Sequence, residues 1–260
     1  MLFGFAISYE NLQNSIVAFI LFSILASSIY VFNDLLDIHE DRNHPKKKFR
    51  PLASGAVSTS TAKFLIVIMS LVSLGLSLFF DKLFFILLFY FILNILYTLK
   101  LKHIAIVDIS IIAVGFVLRI FAGSVVTNIT PSHWIIHMTF LLALFLALDK
   151  RRDDVILARH GKQTRKNIDG YNYEFINASM VLMAGVIVVS YILYTVSSEV
   201  NSENLYLTSF FVILGIIRYM QITFVEESSG SPTKIVLKDR FLQLTILGWL
   251  ISFFVIIKLT

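Results

Sequence analysis

The chain has 260 residues, 57% of them apolar, with a mean hydropathy of +0.80 and a formal net charge of +5. That apolar share is above the soluble norm and points to a membrane protein. With no cysteine, the chain has no disulfide, no thiolate nucleophile and no cysteine-ligated metal site.

The first ten residues, MLFGFAISYE, lack the basic n-region and small-residue cleavage site of a signal peptide. They read instead as the closing turns of a helix whose beginning is absent. Eight long apolar segments follow, at about 12–38, 60–80, 83–99, 105–127, 133–149, 175–197, 204–224 and 240–258. Each has roughly the 17–25 residues that cross a bilayer as a helix. No hydrophilic stretch is long enough for a separate soluble domain. The expected fold is therefore all-α, a polytopic membrane helical bundle of eight transmembrane helices forming one domain over residues 1–260. Counting the N-terminal turns, it is a nine-helix plan with the first helix truncated.

Charge sets the topology. Of the 22 lysines and arginines, all but Lys82, Arg119, Arg218 and Lys258 fall on one set of loops. The positive-inside rule makes that face cytoplasmic, so the expectation is a multi-pass protein of the cell (inner) membrane. A basic string, PKKKFRP, lies in one of these loops, and its place between membrane helices excludes a nucleic-acid or nuclear role.

At the end of the first long segment stand Asn33, Asp34, Asp37 and Asp41, followed by Lys46, Lys47, Lys48 and Arg50. The three aspartates are spaced i, i+3, i+7, which places them on one face of a continuous helix. Carboxylates are disfavoured at a helix C-terminus and costlier near lipid, so three together call for a cation. Mg²⁺ commonly bridges one or two carboxylates to substrate phosphates. A second cluster, Asp149-Lys150-Arg151-Arg152-Asp153-Asp154, mixes both signs. Lys150 and Arg151 there suit direct binding of phosphate oxygens, whereas Arg159, Lys162, Arg165 and Lys166 need no reading beyond positive-inside charge.

Two arginines fall inside apolar segments. Arg119 is eleven residues beyond Asp108, roughly 16 Å by helical rise, so the two cannot pair. Arg119 is either paired with a carboxylate elsewhere or a substrate contact, and Arg218 reads as structural. His44 and His103 read as loop-shaping residues. Tyr97 either orients a phosphate or an aspartate, or belongs to the interfacial aromatic belt.

The pattern NDxxDxxxD at residues 33–41 resembles the first aspartate-rich motif of the UbiA superfamily of intramembrane prenyltransferases. Its continuation, DRNHPKKKFRPLASG from Asp41 to Gly55, carries an HPxKxxRP form similar to the decaprenyl-phosphate phosphoribosyltransferase branch. Tyr97 through Lys100, Lys102 and His103 to Asp108, the helix Gly115–Arg119–Gly123, Gly170-Tyr171-Asn172, and Asp239-Arg240-Phe241-Leu242-Gln243 also resemble that branch. The resemblance implies Mg²⁺ held by Asp34, Asp37 and Asp41, which are also the catalytic residues. It implies substrate binding by Asn33, Lys47, Arg50, Tyr97, Lys100, Asp108, Arg119, Lys150 and Arg151. The implied reaction moves a phosphoribosyl group from 5-phosphoribosyl 1-diphosphate to polyprenyl phosphate, in cell-envelope biosynthesis, and the plan allows a homo-oligomer. Two other readings stay open: prenyl transfer from a prenyl diphosphate, which wants a cleaner second acidic motif, and a transporter or binder of anionic lipid.

Overall fold

A backbone that crosses lipid must satisfy its own hydrogen bonds, and the long apolar runs of this chain do so as helices. The computed structural model describes residues 8–43, 47–80, 82–159, 170–197, 204–226 and 231–259. The N-terminal turns before residue 8, His44, Lys46, Lys162, Arg165 and Lys166 lie outside the described residues. Among those described there is no strand. The chain divides into two compact units, Met1–Ser132 and His133–Thr260.

The first unit holds α1 (Tyr9–Leu36), α2 (Ile38–Asn43), α3 (Thr59–Ser77), α4 (Leu83–Leu99) and α5 (Val107–Thr127). Ser8 caps α1 by accepting from the Asn11 N–H, and Ser58 caps α3 by accepting from Thr61. Ala18, Leu21, Phe22, Leu25, Ala26 and Ile29 of α1 share a core with Leu83, Leu87 and Tyr90 of α4 and Leu118, Ala122 and Val126 of α5. The contact between α1 and α3 is made by small polar residues. Ser70 donates to Ser28 at 3.0 Å, and Ser73 donates to the Leu21 carbonyl at 2.8 Å. Small hydroxyl residues let two helices approach closely where burial in lipid offers little driving force.

The second unit holds α6 (His133–Arg159), α7 (Tyr173–Thr195), α8 (Ser209–Phe224), α9 (Pro232–Lys238) and α10 (Arg240–Leu259). The Gly170-Tyr171-Asn172 segment is the entry to α7, with Asn172 accepting from the Phe175 N–H at 2.6 Å. Asp239 starts α10 by accepting from the Leu242 N–H, while Gln243 donates to the carbonyls of Val236 and Leu237 in α9. Trp249 donates to the Tyr191 hydroxyl, which is bonded to Thr208, so α7 and α10 are joined through a polar bridge. Where α10 crosses α8, a Cβ at Gly248 would lie 2.5 Å from the Phe211 ring.

Seven of these helices have the length and apolarity of a membrane span, α8 together with the 3₁₀ turn Leu205–Thr208 before it. The eighth expected span, α4, has 17 residues and extends roughly 26 Å, at the short limit for crossing.

From Lys47 onward the chain turns tightly. A 3₁₀ turn, Lys47–Phe49, leads to Arg50, whose N–H donates to the Lys47 carbonyl at 2.9 Å. Leu52 then inserts into a small core with Ile38 and Ala62. Gly55 follows at φ +83°, a conformation open to glycine and strained for other residues. Gly55→Ala is expected to lower stability by about 1 kcal/mol through this backbone term alone. Gly75→Ala, in helical conformation with open space at its Cβ, should be neutral or slightly stabilising. Thermal unfolding of the two variants in detergent tests the contrast.

Candidate active site

The helix carrying the aspartates does not run straight through them. α1 stops at Leu36, Asp37 forms the C-cap at φ −92° and ψ 9°, and α2 restarts at Ile38. The three carboxylates consequently divide. Arg50 Nη1 donates to Asp34 Oδ1 at 2.7 Å and to Asp41 Oδ2 at 2.8 Å, so two carboxylates meet at one nitrogen. Asp41 is only 2% exposed, and burying an unpaired charge there would be costly, so the contact with Arg50 offsets that cost. Asp37 is taken by Lys102, whose Nζ stands 2.7 Å from Oδ1, while Asn33 donates to Oδ2 at 3.1 Å. Lys102 also reaches the Asn33 side-chain oxygen at 3.5 Å. Lys47 lies within electrostatic range of Asp34.

The loop between α4 and α5 explains how Lys102 arrives there. α4 ends at Lys100, a 3₁₀ turn spans Leu101–His103, and the chain reverses at Ile106, with φ 69° and ψ −46°. The Val107 N–H donates to the Ala105 carbonyl at 2.8 Å across that residue, closing a three-residue γ-turn. A β-branched residue at positive φ is strained and is held there by its surroundings. α5 follows, with Asp108 fully buried in its first turn, where the helix dipole favours a carboxylate.

The structure thus brings Asn33, Asp34, Asp37, Asp41, Lys47 and Arg50 to one place and adds Lys102, which was not among the candidates. Lys100, which was, is exposed at the end of α4, and Tyr97 is half-buried on the same helix; among the described residues neither bonds to the aspartates through its side chain. Arg119 is elsewhere. Its guanidinium donates to the Gly115 carbonyl at 2.8 Å and to the Tyr90 hydroxyl at 3.4 Å. The rings of Phe22, Tyr90 and Phe116 surround it at 5.0, 5.5 and 4.9 Å. An aromatic cage, rather than a carboxylate, stabilises this cation.

In the second unit, the mixed cluster lies on the last turns of α6. Asp149 is fully buried and accepts from the Tyr219 hydroxyl at 2.9 Å and from Thr223 at 3.2 Å. Arg152, also fully buried, donates to Asn177, to the Thr223 carbonyl and to the Tyr173 hydroxyl at 2.9, 2.7 and 2.7 Å. It is flanked by the Tyr173 and Phe224 rings. These two residues tie α6 to α7 and α8. Arg151 is buried against Asp154 at 2.7 Å, and Lys150 is exposed. Arg218 is likewise structural: it bonds Asp239 at 2.6 Å, Gln221 at 2.8 Å and Glu226 at 3.0 Å. The Arg218 guanidinium, helped by the Leu242 N–H, holds the Asp239 carboxyl below the usual carboxylate range. The stability this contributes is present at neutral pH and is lost as pH falls through the lowered value.

The oxygen donors of Asp34 and Asp41 fit a hard divalent cation, since two carboxylates plus substrate phosphate are a common Mg²⁺ environment. Among the described residues no three histidine, aspartate or glutamate side chains gather as a ready chelate. The pair, with Asp37 facing Lys102, is therefore the arrangement that a metal would meet.

Helices of bilayer length with a paired carboxylate–cation cluster at a helix end define an integral membrane protein with a built polar site. A family model described as the UbiA prenyltransferase family matches residues 1–245, and the chain belongs to that family. It is a transferase. It is similar to the decaprenyl-phosphate phosphoribosyltransferase of Mycolicibacterium smegmatis, 33% identical over 246 residues covering 90% of this chain and 77% of that protein. The protein of the same name from Mycobacterium tuberculosis H37Rv is 32% identical, over 93% of this chain and 80% of the relative. In fold, the chain is similar to a UbiA homolog from Archaeoglobus fulgidus bound to DMAPP and Mg²⁺. There the TM-score is 0.72 and the identity 20%, over 99% of this chain and 92% of that one.

Removing Arg152 takes the donor from one buried acceptor, the Thr223 carbonyl, and from two partly buried ones, the Asn177 and Tyr173 oxygens. Arg152→Ala is expected to destabilise the second unit by about 3 kcal/mol, whereas Arg119→Leu, which loses cation–π contacts, costs about 1 kcal/mol. Denaturant or thermal unfolding of the purified variants checks the ranking.

Proposed function

We propose that the protein transfers a 5-phosphoribosyl group from 5-phosphoribosyl 1-diphosphate to a polyprenyl phosphate of decaprenyl type, releasing diphosphate, with Mg²⁺ as the metal. The observation that carries this reading is the interleaving of Arg50 and Lys102 with Asp34, Asp37 and Asp41 in one cluster. A donor with a diphosphate and a separate phosphate, together with a phosphate acceptor, asks for cations as well as metal-binding carboxylates. The similarity to phosphoribosyltransferases over most of the chain supports the same choice. By the positive-inside rule the cluster faces the cytoplasm at the inner membrane, where a soluble donor is available.

Asp34 and Asp41 would hold the metal, with Asp37 beside them. When bound, Mg²⁺ supplies charge neutralisation for the departing diphosphate. Arg50, Lys47 and Lys102 bind phosphate oxygens, Arg50 through its planar fork and the lysines as point charges. Asn33 orients Asp37, and Asp108, buried in the first turn of α5, is a further substrate-binding group by the resemblance. In the second unit Lys150 and Arg151 are further phosphate-binding groups. The acceptor phosphate is anionic at neutral pH, so the reaction needs no strong general base, and the protein's contribution is positioning and charge stabilisation.

Labelled phosphoribosyl diphosphate incubated with polyprenyl phosphate and membranes should give a lipid-extractable label that depends on Mg²⁺. Asp34→Asn and Asp41→Asn should each reduce it by at least about 100-fold. Turnover of a prenyl diphosphate in its place, with no label in the lipid fraction, would overturn the donor assignment in favour of prenyl transfer.

A further inference from the structure

We propose that Arg50 and Lys102 are exchangeable counter-cations. They neutralise the aspartates until a metal–diphosphate arrives, then pass to its phosphate oxygens, so that metal and diphosphate bind as a coupled pair. This inference rests on the proposed metal role of Asp34 and Asp41, and it deepens the reading of that site by making the two cations exchange partners as the substrate arrives.

The geometry forces a competition. Arg50 Nη1 sits 2.7 and 2.8 Å from the carboxylate oxygens of Asp34 and Asp41 that a metal would take. Mg²⁺ binds oxygen at about 2.0–2.1 Å, which would set a divalent charge about 4 Å from the guanidinium nitrogen, so the two cations repel over one pair of carboxylates. The Asp41 side chain is almost fully buried, and its charge is costly unless one of the cations stays beside it. The entry of one cation therefore loosens the other. Metal alone would expel Arg50 into a site that now holds a divalent charge, and the two positive groups would repel one another. Diphosphate alone would meet an Arg50 and a Lys102 already committed to carboxylates, with the carboxylates repelling it. Only the pair satisfies every group: metal on Asp34 and Asp41, phosphate oxygens on Arg50 and Lys102.

Lys102 is placed for the same exchange. It is largely buried, at 12% exposure, and stands 2.7 Å from Asp37. Arg50, by contrast, is on the half-exposed side of the cluster, at 37%. The two cations approach the acidic cluster from different chain segments, Arg50 from the loop after α2 and Lys102 from the turn before α5. A diphosphate bound between them would gain two charge-assisted contacts that the separate groups now give to aspartates. Coupling of this kind is reciprocal: diphosphate tightens metal binding by the factor by which metal tightens diphosphate binding.

The test measures binding of Mn²⁺, as the metal probe, to the full-length protein in detergent, by electron paramagnetic resonance, with and without inorganic diphosphate. In the natural protein, diphosphate should tighten Mn²⁺ binding by about tenfold or more beyond the affinity of Mn²⁺ for diphosphate itself. In Arg50→Gln, Mn²⁺ alone should bind several-fold tighter, because its competitor is gone, while the enhancement by diphosphate shrinks. Arg50→Lys, which keeps the charge, should restore part of the enhancement. Lys102→Gln should also reduce the enhancement, and it carries the test if Arg50→Gln fails to fold. Unchanged or weaker Mn²⁺ binding in Arg50→Gln, or full enhancement in both neutral variants, would overturn the exchange. Coupled Mn²⁺ and diphosphate binding without phosphoribosyl transfer would leave the exchange standing and remove the proposed donor. No Mn²⁺ binding to the natural protein would overturn both.

Discussion

The bond network around Arg50 determines what the first unit can do. One guanidinium nitrogen holds Asp34, at the end of a membrane helix, and Asp41, on the short helix that follows. For that to happen the chain must break at Asp37, turn through Lys47–Phe49, and fix Arg50 with Leu52 and Gly55 just beyond it. An anion pair of this kind repels itself and is stable only with a cation between its members. The loop exists to supply that cation.

The second unit solves a different problem with the same residue type. Arg152 and Asp149 are sealed inside it, and their hydrogen bonds go to neutral partners on α7 and α8. A buried guanidinium with every face occupied by rings or acceptors is a fastener rather than a ligand site. Beside it, Arg151 pairs with Asp154 along α6 itself. Arg119 in the first unit shows a third solution, in which ring faces replace acids around the charge.

Much of this was legible in the sequence. The apolar runs located the eight long helices to within about five residues, because a span in lipid admits few lengths and few interruptions; the exception is the end of α6, which continues helically past 149 through the charged cluster to Arg159. The acidic face of residues 33–41 and the basic loop after it also stood out, since three carboxylates at the C-terminal end of an apolar span are unusual. Local backbone turns were not legible. The i, i+3, i+7 spacing assumed an unbroken helix, and the break at Asp37 sends its carboxylate to Lys102 while its neighbours go to Arg50. Choosing Lys100 over Lys102 has the same origin, for nothing in LKLKHIAI announces a β-branched residue at positive φ. The roles of Asp149 and Arg152 did carry a signal. With Phe145, Leu148 and Val155 they form a stripe of three- and four-residue spacing, the inward face of α6.

Helix length adds a consequence for where chemistry takes place. α1 has 28 residues and α6 has 27, roughly 42 and 40 Å, against about 30 Å of hydrocarbon in a bilayer. Each helix therefore has two turns or so to spare; α1 carries polar residues at both ends, Glu10 to Ser15 and Asn33 to Asp34, and α6 carries its charged cluster toward the C-terminus. With the apolar middle of α1 centred in a bilayer, its site-bearing end would stand at headgroup level. A lipid phosphate already resides at that depth. An acceptor of the proposed kind could present its phosphate there with its whole tail still in the bilayer. It would avoid the roughly 0.8 kcal/mol that each methylene drawn into water costs. In the proposed reaction the soluble donor would do the travelling, and the lipid would stay where it is.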